Sequence, residues 1–149
     1  MTEFMLRRAG PADLAELLPM FQAYRDFYRC PPDAAGCAGY LAQRLAEPST
    51  GIALATAGGA ARGFVHLFPQ PCSLNLGTSY YLSDLYVAPE ARRLGLAAGL
   101  LTWATDFAKA QGALGLSLET ARDNTAAQAL YRRLGWRLDE TYLTFRHED

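Results

Sequence analysis

The sequence predicts an α+β fold built on a mixed sheet, and three observations lead to it. Apolar residues recur at helical spacing in some stretches and in short branched or aromatic runs in others. A glycine pair joins two of those runs as a hairpin, and other runs are joined through helical stretches. A chain with both kinds of connection needs antiparallel and parallel neighbours in one sheet. The order read along the chain is β-α-α-β-β-β-α-β-α-β-β. No repeat, low-complexity segment or linker interrupts it, so residues 1–149 are expected to form a single domain.

Phe4 to Arg8 is the first strand candidate. Gly10-Pro11-Ala12-Asp13 then turns into a helix with Leu14, Leu17, Leu18, Phe21 and Tyr24 or Arg25 on one side. Pro31-Pro32-Asp33 interrupts it, because proline disfavours helix at its own position and just before. Tyr40, Leu41, Arg44 and Leu45 predict a short second helix that stops near Pro48. Ile52 to Thr56 and Gly63 to Phe68, joined through Gly58-Gly59, read as a hairpin. Pro69 to Thr78 reads as a loop by its Pro, Ser, Asn and Gly content. Tyr80 to Val87 is a strand. Leu96 to Ala110 is a helix with Leu96, Leu100, Trp103, Ala104 and Phe107 in one stripe, closed by Gly112. Leu114 to Thr120 is another strand. Asn124 or Thr125 caps a helix carrying Ala127, Leu130, Tyr131 and Leu134, closed by Gly135. Trp136 to Leu138 and Tyr142 to Phe145 are read as the last strands.

Composition narrows the function. A net charge of −1 gives no chain-wide reason for a nucleic-acid or anionic-membrane partner. No apolar run nears the ~20 residues of a membrane span. Met1-Thr2-Glu3-Phe4-Met5 lacks the basic-then-apolar order of a signal peptide, so a cytoplasmic enzyme is the expectation. Cys30, Cys37 and Cys72 have no CxxC spacing, and His66 and His147 stand far apart. No metal site is expected, and the thiols are expected to be reduced.

The segment richest in chemistry runs from Asp84 to Leu101. The strand Ser83-Asp84-Leu85-Tyr86-Val87 enters a short loop, and Arg92-Arg93-Leu94-Gly95-Leu96-Ala97 opens the next helix. Small residues at Gly95 and Ala97 allow close approach to free N–H groups at the positive end of that helix. Arg92 and Arg93 add charge-assisted donors. This pattern suits a pyrophosphate; a solvated arginine loop with a packing glycine is the plainer reading. A Rossmann dinucleotide site fits less well, since Leu100 stands where its third glycine belongs and Glu119 would be the ribose acid.

Arg92-x-x-Gly95-x-Ala97, preceded by Leu85-x-Val87-x-Pro89, resembles the acetyl-CoA signature of the GNAT superfamily of N-acetyltransferases, Q/R-x-x-G-x-G/A. Leu118-x-Thr120, Asn124, Ala127, Ala129-Leu130-Tyr131 and Gly135-Trp136 are similar to that family's downstream pattern. Arg93 stands where a glycine is frequent, and Ala97 where the last glycine stands; alanine is permitted there. The resemblance implies the GNAT fold, a mostly antiparallel sheet of about six to seven strands flanked by about four helices. It implies acetyl-CoA as cosubstrate and direct attack of a primary amine of a small molecule or peptide on the thioester. More loosely, Tyr24-Arg25-Asp26-Phe27-Tyr28 with Leu118-Glu119-Thr120 resembles a branch acting on small amines, D-amino acids or histone-type lysines. It implies a cofactor site made by Leu85, Tyr86, Val87, Arg92, Arg93, Leu94, Gly95, Leu96, Ala97, Asn124, Ala127 and Tyr131.

Such a reaction needs an acid for the leaving thiolate and a base for the amine. Tyr131 matches the family's tyrosine and is the expected acid. Asp84 is the best-placed base candidate, since it alternates with Leu85 along its strand. Glu119 competes with it, and His66 is a third candidate. Tyr24, Phe27, Tyr28, Tyr80 and Tyr81 form an aromatic set suited to an ammonium ion, with core or dimer contacts as the alternative for each ring. A homodimer is common in the family, and the strands carrying Trp136 and Tyr142 could support one. Two other readings stay open: a catalytically inactive acetyl-CoA-binding sensor, and an interaction domain without cofactor.

Overall fold

The computed structural model describes residues 3–147, in two compact units that divide after Glu119. The first unit holds a sheet with the strand order β1 (Phe4–Arg8), β2 (Gly51–Ala57), β3 (Ala60–Cys72), β4 (Gly77–Val87) and β5 (Leu116–Leu118). The first three pairings are antiparallel and β4 with β5 is parallel, so the sheet is mixed as expected.

Side chains alternate across the strands and split the core between two faces. Ile52, Leu54 and Phe64 pack against α1 (Leu14–Phe27) and α2 (Ala34–Ala46), where Leu17, Phe21 and Leu41 are buried. The opposite face meets α3 (Leu96–Ala110) through its buried Leu96, Leu100, Leu101, Ala104 and Phe107. That helix has the predicted bounds, because its stripe, its glycine start and Gly112 at φ 75° all favour them.

Five expectations need correction. α2 begins at Ala34 rather than near Tyr40, because the Asp33 carboxylate caps it by accepting from Gly36 N–H at 2.8 Å. Most of the expected loop from Pro69 to Thr78 is strand. β2 ends opposite Leu67, so β3 has an open flank beyond it, and Pro69 and Pro71 sit there without removing a ladder bond on that side. The strand expected over Leu114 to Thr120 pairs only through Leu116–Leu118. Among the described residues the sheet has five strands rather than about six to seven. Trp136 to Leu138 and Tyr142 to Phe145 are apolar in rhythm but form no ladder among the described residues. A strand needs a backbone partner, and alternation supplies only a face.

The second unit contains α4 (Thr125–Arg133). Asn124 Oδ1 accepts from Ala127 N–H at 3.2 Å as its N-cap, and Gly135, at φ 93°, follows its end. Trp136 N–H returns to Tyr131 C=O at 2.9 Å, and the two rings lie 6.2 Å apart.

Candidate functional site

Two features of the first unit come from β4. His66 on β3 stands opposite Asp84, and Leu67 opposite Leu82, so Ser83 is an extra, bulged residue. Bulges re-aim side chains, and this one leaves Ser83 and Asp84 together beside His66. Asp84 Oδ2 accepts from His66 Nδ1 at 2.8 Å and from Ser83 Oγ at 2.9 Å. A carboxylate only accepts, so the geometry assigns the Nδ1 proton to His66. Tyr24 of α1 adds a third hydrogen bond to Asp84. The His66 side chain is 2% exposed and that of Asp84 16%. His66 Nε2 is buried without a hydrogen-bond partner among the described residues.

Burial by itself would push the Asp84 carboxyl up. The hydrogen bond and charge of His66, with the bonds from Ser83 and Tyr24, outweigh it and hold the group below the usual carboxylate range. Tyr24 moves the other way: burial, then the charge and hydrogen bond of Asp84, raise its hydroxyl above the ordinary value. Asp84 is therefore an anion with polar support, facing a cavity of about 390 Å³ lined also by Phe21, Tyr24, Arg25, Cys37 and Tyr40.

The second feature is the end of β4. It pairs with β5 only through Tyr80–Leu82, so Ser83 to Val87 has β3 as its single strand partner among the described residues. Backbone groups on the β5 side of that segment are open to a ligand. A 3-10 turn, Pro89–Ala91, follows, and Arg92 Nε donates to Val87 C=O at 3.3 Å. Arg93 (φ 68°) and Gly95 (φ 84°) are both left-handed, and no side chain caps α3. The first N–H groups of α3 are thus left to an external acceptor, with two exposed arginines alongside. This arrangement fits a diphosphate.

Of the expected acceptor residues, the structure brings Tyr24 and Asp84 to one cavity. Tyr81 lies on the same sheet face, packs on Phe68 and donates its hydroxyl to Glu119 at 2.7 Å. Phe27 and Tyr28 are largely exposed and stack edgewise, with Tyr28 also against Tyr24. Tyr80 turns to the α3 side, where its ring meets Phe107 and its hydroxyl reaches Ser49 C=O at 2.8 Å. Tyr131, Asn124 and Ala127 belong to the second unit. Sequence reasoning missed Tyr40 and Arg25 as cavity residues and ranked His66 low. Tyr40 reads as part of the α2 stripe, and the pairing of His66 with Asp84 depends on strand register. No group of three or more His, Cys, Asp or Glu among the described residues could hold a metal ion.

Residues 17–136 match the model of the acetyltransferase (GNAT) family. An uncharacterized N-acetyltransferase of Bacillus subtilis (strain 168) is 35% identical over 140 residues, covering 94% of this chain and 94% of that protein. The crystal structure of a probable acetyltransferase superposes with a TM-score of 0.90 at 32% identity, over 97% of each chain. An aminoglycoside N-acetyltransferase in complex with CoA shares the fold, with a TM-score of 0.84 at 18% identity over 100% of this chain and 97% of that one.

Proposed function

The chain belongs to the GNAT family of acetyltransferases, and from that premise we propose that it moves the acetyl group of acetyl-CoA to a primary amine of a small molecule or peptide by direct attack. The single observation that carries this reading is an ionised, hydrogen-bonded Asp84 at a cavity, on the same strand whose far end opens towards the uncapped start of α3. When bound, acetyl-CoA supplies the acyl carbon: its C–S bond breaks as the N–C bond forms, and the sulfur leaves as a thiol after gaining a proton.

Arg92, Arg93, Leu94, Gly95, Leu96 and Ala97 would hold the diphosphate through backbone N–H groups and guanidinium charge. Leu85, Tyr86 and Val87 would orient the acyl group through backbone groups on the open flank of β4. Asn124, Ala127 and Tyr131 complete the cofactor set in this reading. Asp84 draws in the ammonium, whose ordinary pKa is near ~10.4. A water held by its carboxylate then carries the amine's proton away. Tyr24 and His66 keep Asp84 charged and oriented. Glu119, tied to Tyr81, is the competing base. Tyr131 gives the proton to the leaving sulfur. Tyr24, Phe27, Tyr28, Tyr80 and Tyr81 remain the proposed aromatic acceptor set. We place the enzyme in the cytoplasm, as one functional domain over 1–149 and as a homodimer. No helix among the described residues is long and apolar enough to cross a membrane.

A thiol-release assay over polyamines, amino acids, aminoglycosides and lysine peptides tests the activity. Tyr131→Phe is expected to lower kcat by about 10²–10⁴-fold, the range of general-acid contributions, far more than it weakens acetyl-CoA binding. Full turnover in that variant removes Tyr131 from the acid role. Loss of the acidic limb of the pH–rate profile in Asp84→Asn, and its retention in Glu119→Gln, assigns the base to Asp84. Tight acetyl-CoA binding without turnover on any amine would instead support the sensor.

A further inference from the structure

The cavity at Asp84 also holds a positive group. Arg25 lies on α1, one residue beyond Tyr24, and lines the same space. Its Nη1 donates to Pro31 C=O at 3.2 Å and to Cys37 Sγ at 3.5 Å. Those contacts fix the side chain to the chain entering α2 while occupying one of its three nitrogens. A guanidinium has five N–H donors, so most of the fork is left over. No carboxylate among the described residues comes within ion-pair distance of it.

The other charged groups around this space are Asp84, on β4, and Asp33, at the start of α2. Asp33 keeps its charge but is held as a helix cap, its Oδ1 accepting from Gly36 N–H, and it lies outside ion-pair distance of Arg25. The tyrosines are neutral donors, and the hydroxyl of Tyr24 is spent on Asp84. A half-buried, anchored arginine thus faces a small cavity without an ion pair among the described residues, and an anchored carboxylate faces the same cavity from another element. Aromatic rings of Phe21, Tyr24 and Tyr40 lie alongside. The volume sits near the lower end of the ~300–1,000 Å³ range of ligand pockets, which suits one compact molecule.

We propose that the acceptor is an amino-carboxylate: its ammonium lies at Asp84 and its carboxylate is read by the fork of Arg25. This deepens, and rests on, the reading of the cavity as the acceptor site. A planar guanidinium matches a carboxylate in a bidentate way that a lysine could not reproduce. Asp84 and Arg25 then fix both ends of one small zwitterion, which leaves its side chain to meet the aromatic rings.

The test compares acceptors that differ only at the carboxylate: a set of free amino acids, the corresponding amino-acid amides, and the decarboxylated amines. Acceptors are assayed by thiol release with the wild-type protein, Arg25→Gln and Arg25→Lys. The expected kcat/KM favours the free acid by about tenfold to a hundredfold, the worth of charge-assisted hydrogen bonds. In Arg25→Gln that preference disappears through a raised KM for the acids, while kcat and the values for the amides stay close to wild type. Arg25→Lys restores it in part. Amides and amines used as well as the acids would overturn the carboxylate assignment alone and leave the amine reading standing. An equal loss on every acceptor in Arg25→Gln would make Arg25 a structural clamp and also overturn it. Turnover of none of them, with no shift in melting temperature on adding the acids, overturns it together with the acceptor-site reading.

Discussion

Asp84 stays charged where water is scarce because three neighbours donate to it: His66, Ser83 and Tyr24. A depressed folded-state pKa adds stability above the unfolded value of ~3.9, and that stability is lost as pH falls through the folded value. Wild type is therefore expected to exceed Asp84→Asn in unfolding free energy at neutral pH. The gap should close progressively as the pH is lowered below about 4, in urea titrations at a series of pH values. A gap that persists unchanged in acid would mean that the carboxylate charge is not what holds the cluster. The residue types were legible in sequence, and Asp84 was singled out by its strand position. Its partner was not: His66 lies 18 positions away, and only the β3–β4 register joins them.

At the scale of elements, β3 and β4 carry the site, and their contact is close. At Gly63 a Cβ would lie 2.8 Å from the Tyr86 carbonyl oxygen and 3.2 Å from Leu100 Cδ1. The carbonyl belongs to a strand backbone and cannot rotate away as a side-chain tip could. Gly63→Ala is expected to destabilise the protein by about 1–3 kcal/mol, as overpacking does. That corresponds to a fall of roughly 2–4 °C in melting temperature per kcal/mol for a chain of this size, read by calorimetry. The variant should also raise the KM for acetyl-CoA, because Tyr86 and Val87 lie on the displaced segment; an unchanged KM would separate that segment from cofactor binding. Helices α3 and α4 were readable almost to the residue, because stripes, caps and terminal glycines act within a few positions of one another. The limits of β3, β4 and β5 were not, since a strand ends where its partner ends.

At the scale of the whole molecule, the second unit taken by itself presents large apolar side chains. Leu138, Tyr142, Leu143 and Phe145 are 64%, 80%, 83% and 89% exposed, a density of large apolar groups that water disfavours. The proposed homodimer would cover them. Light scattering is expected to give twice the chain mass, and Tyr142→Asp with Phe145→Asp to shift the protein towards monomer. A wild-type monomer at all concentrations would overturn the assembly. What the sequence by itself determined was local: helix stripes and their ends, the hairpin, the Arg92 to Ala97 loop, and so the family. These follow from short-range periodicity and backbone preference, which act without knowledge of the rest of the chain. Tertiary structure alone decided which residues share the cavity, namely Arg25, Tyr40 and Asp84, and that the last apolar segments form no strand among the described residues. Cavities and ladders are made by groups distant in sequence, and their chemistry exists only once register and packing bring those groups together.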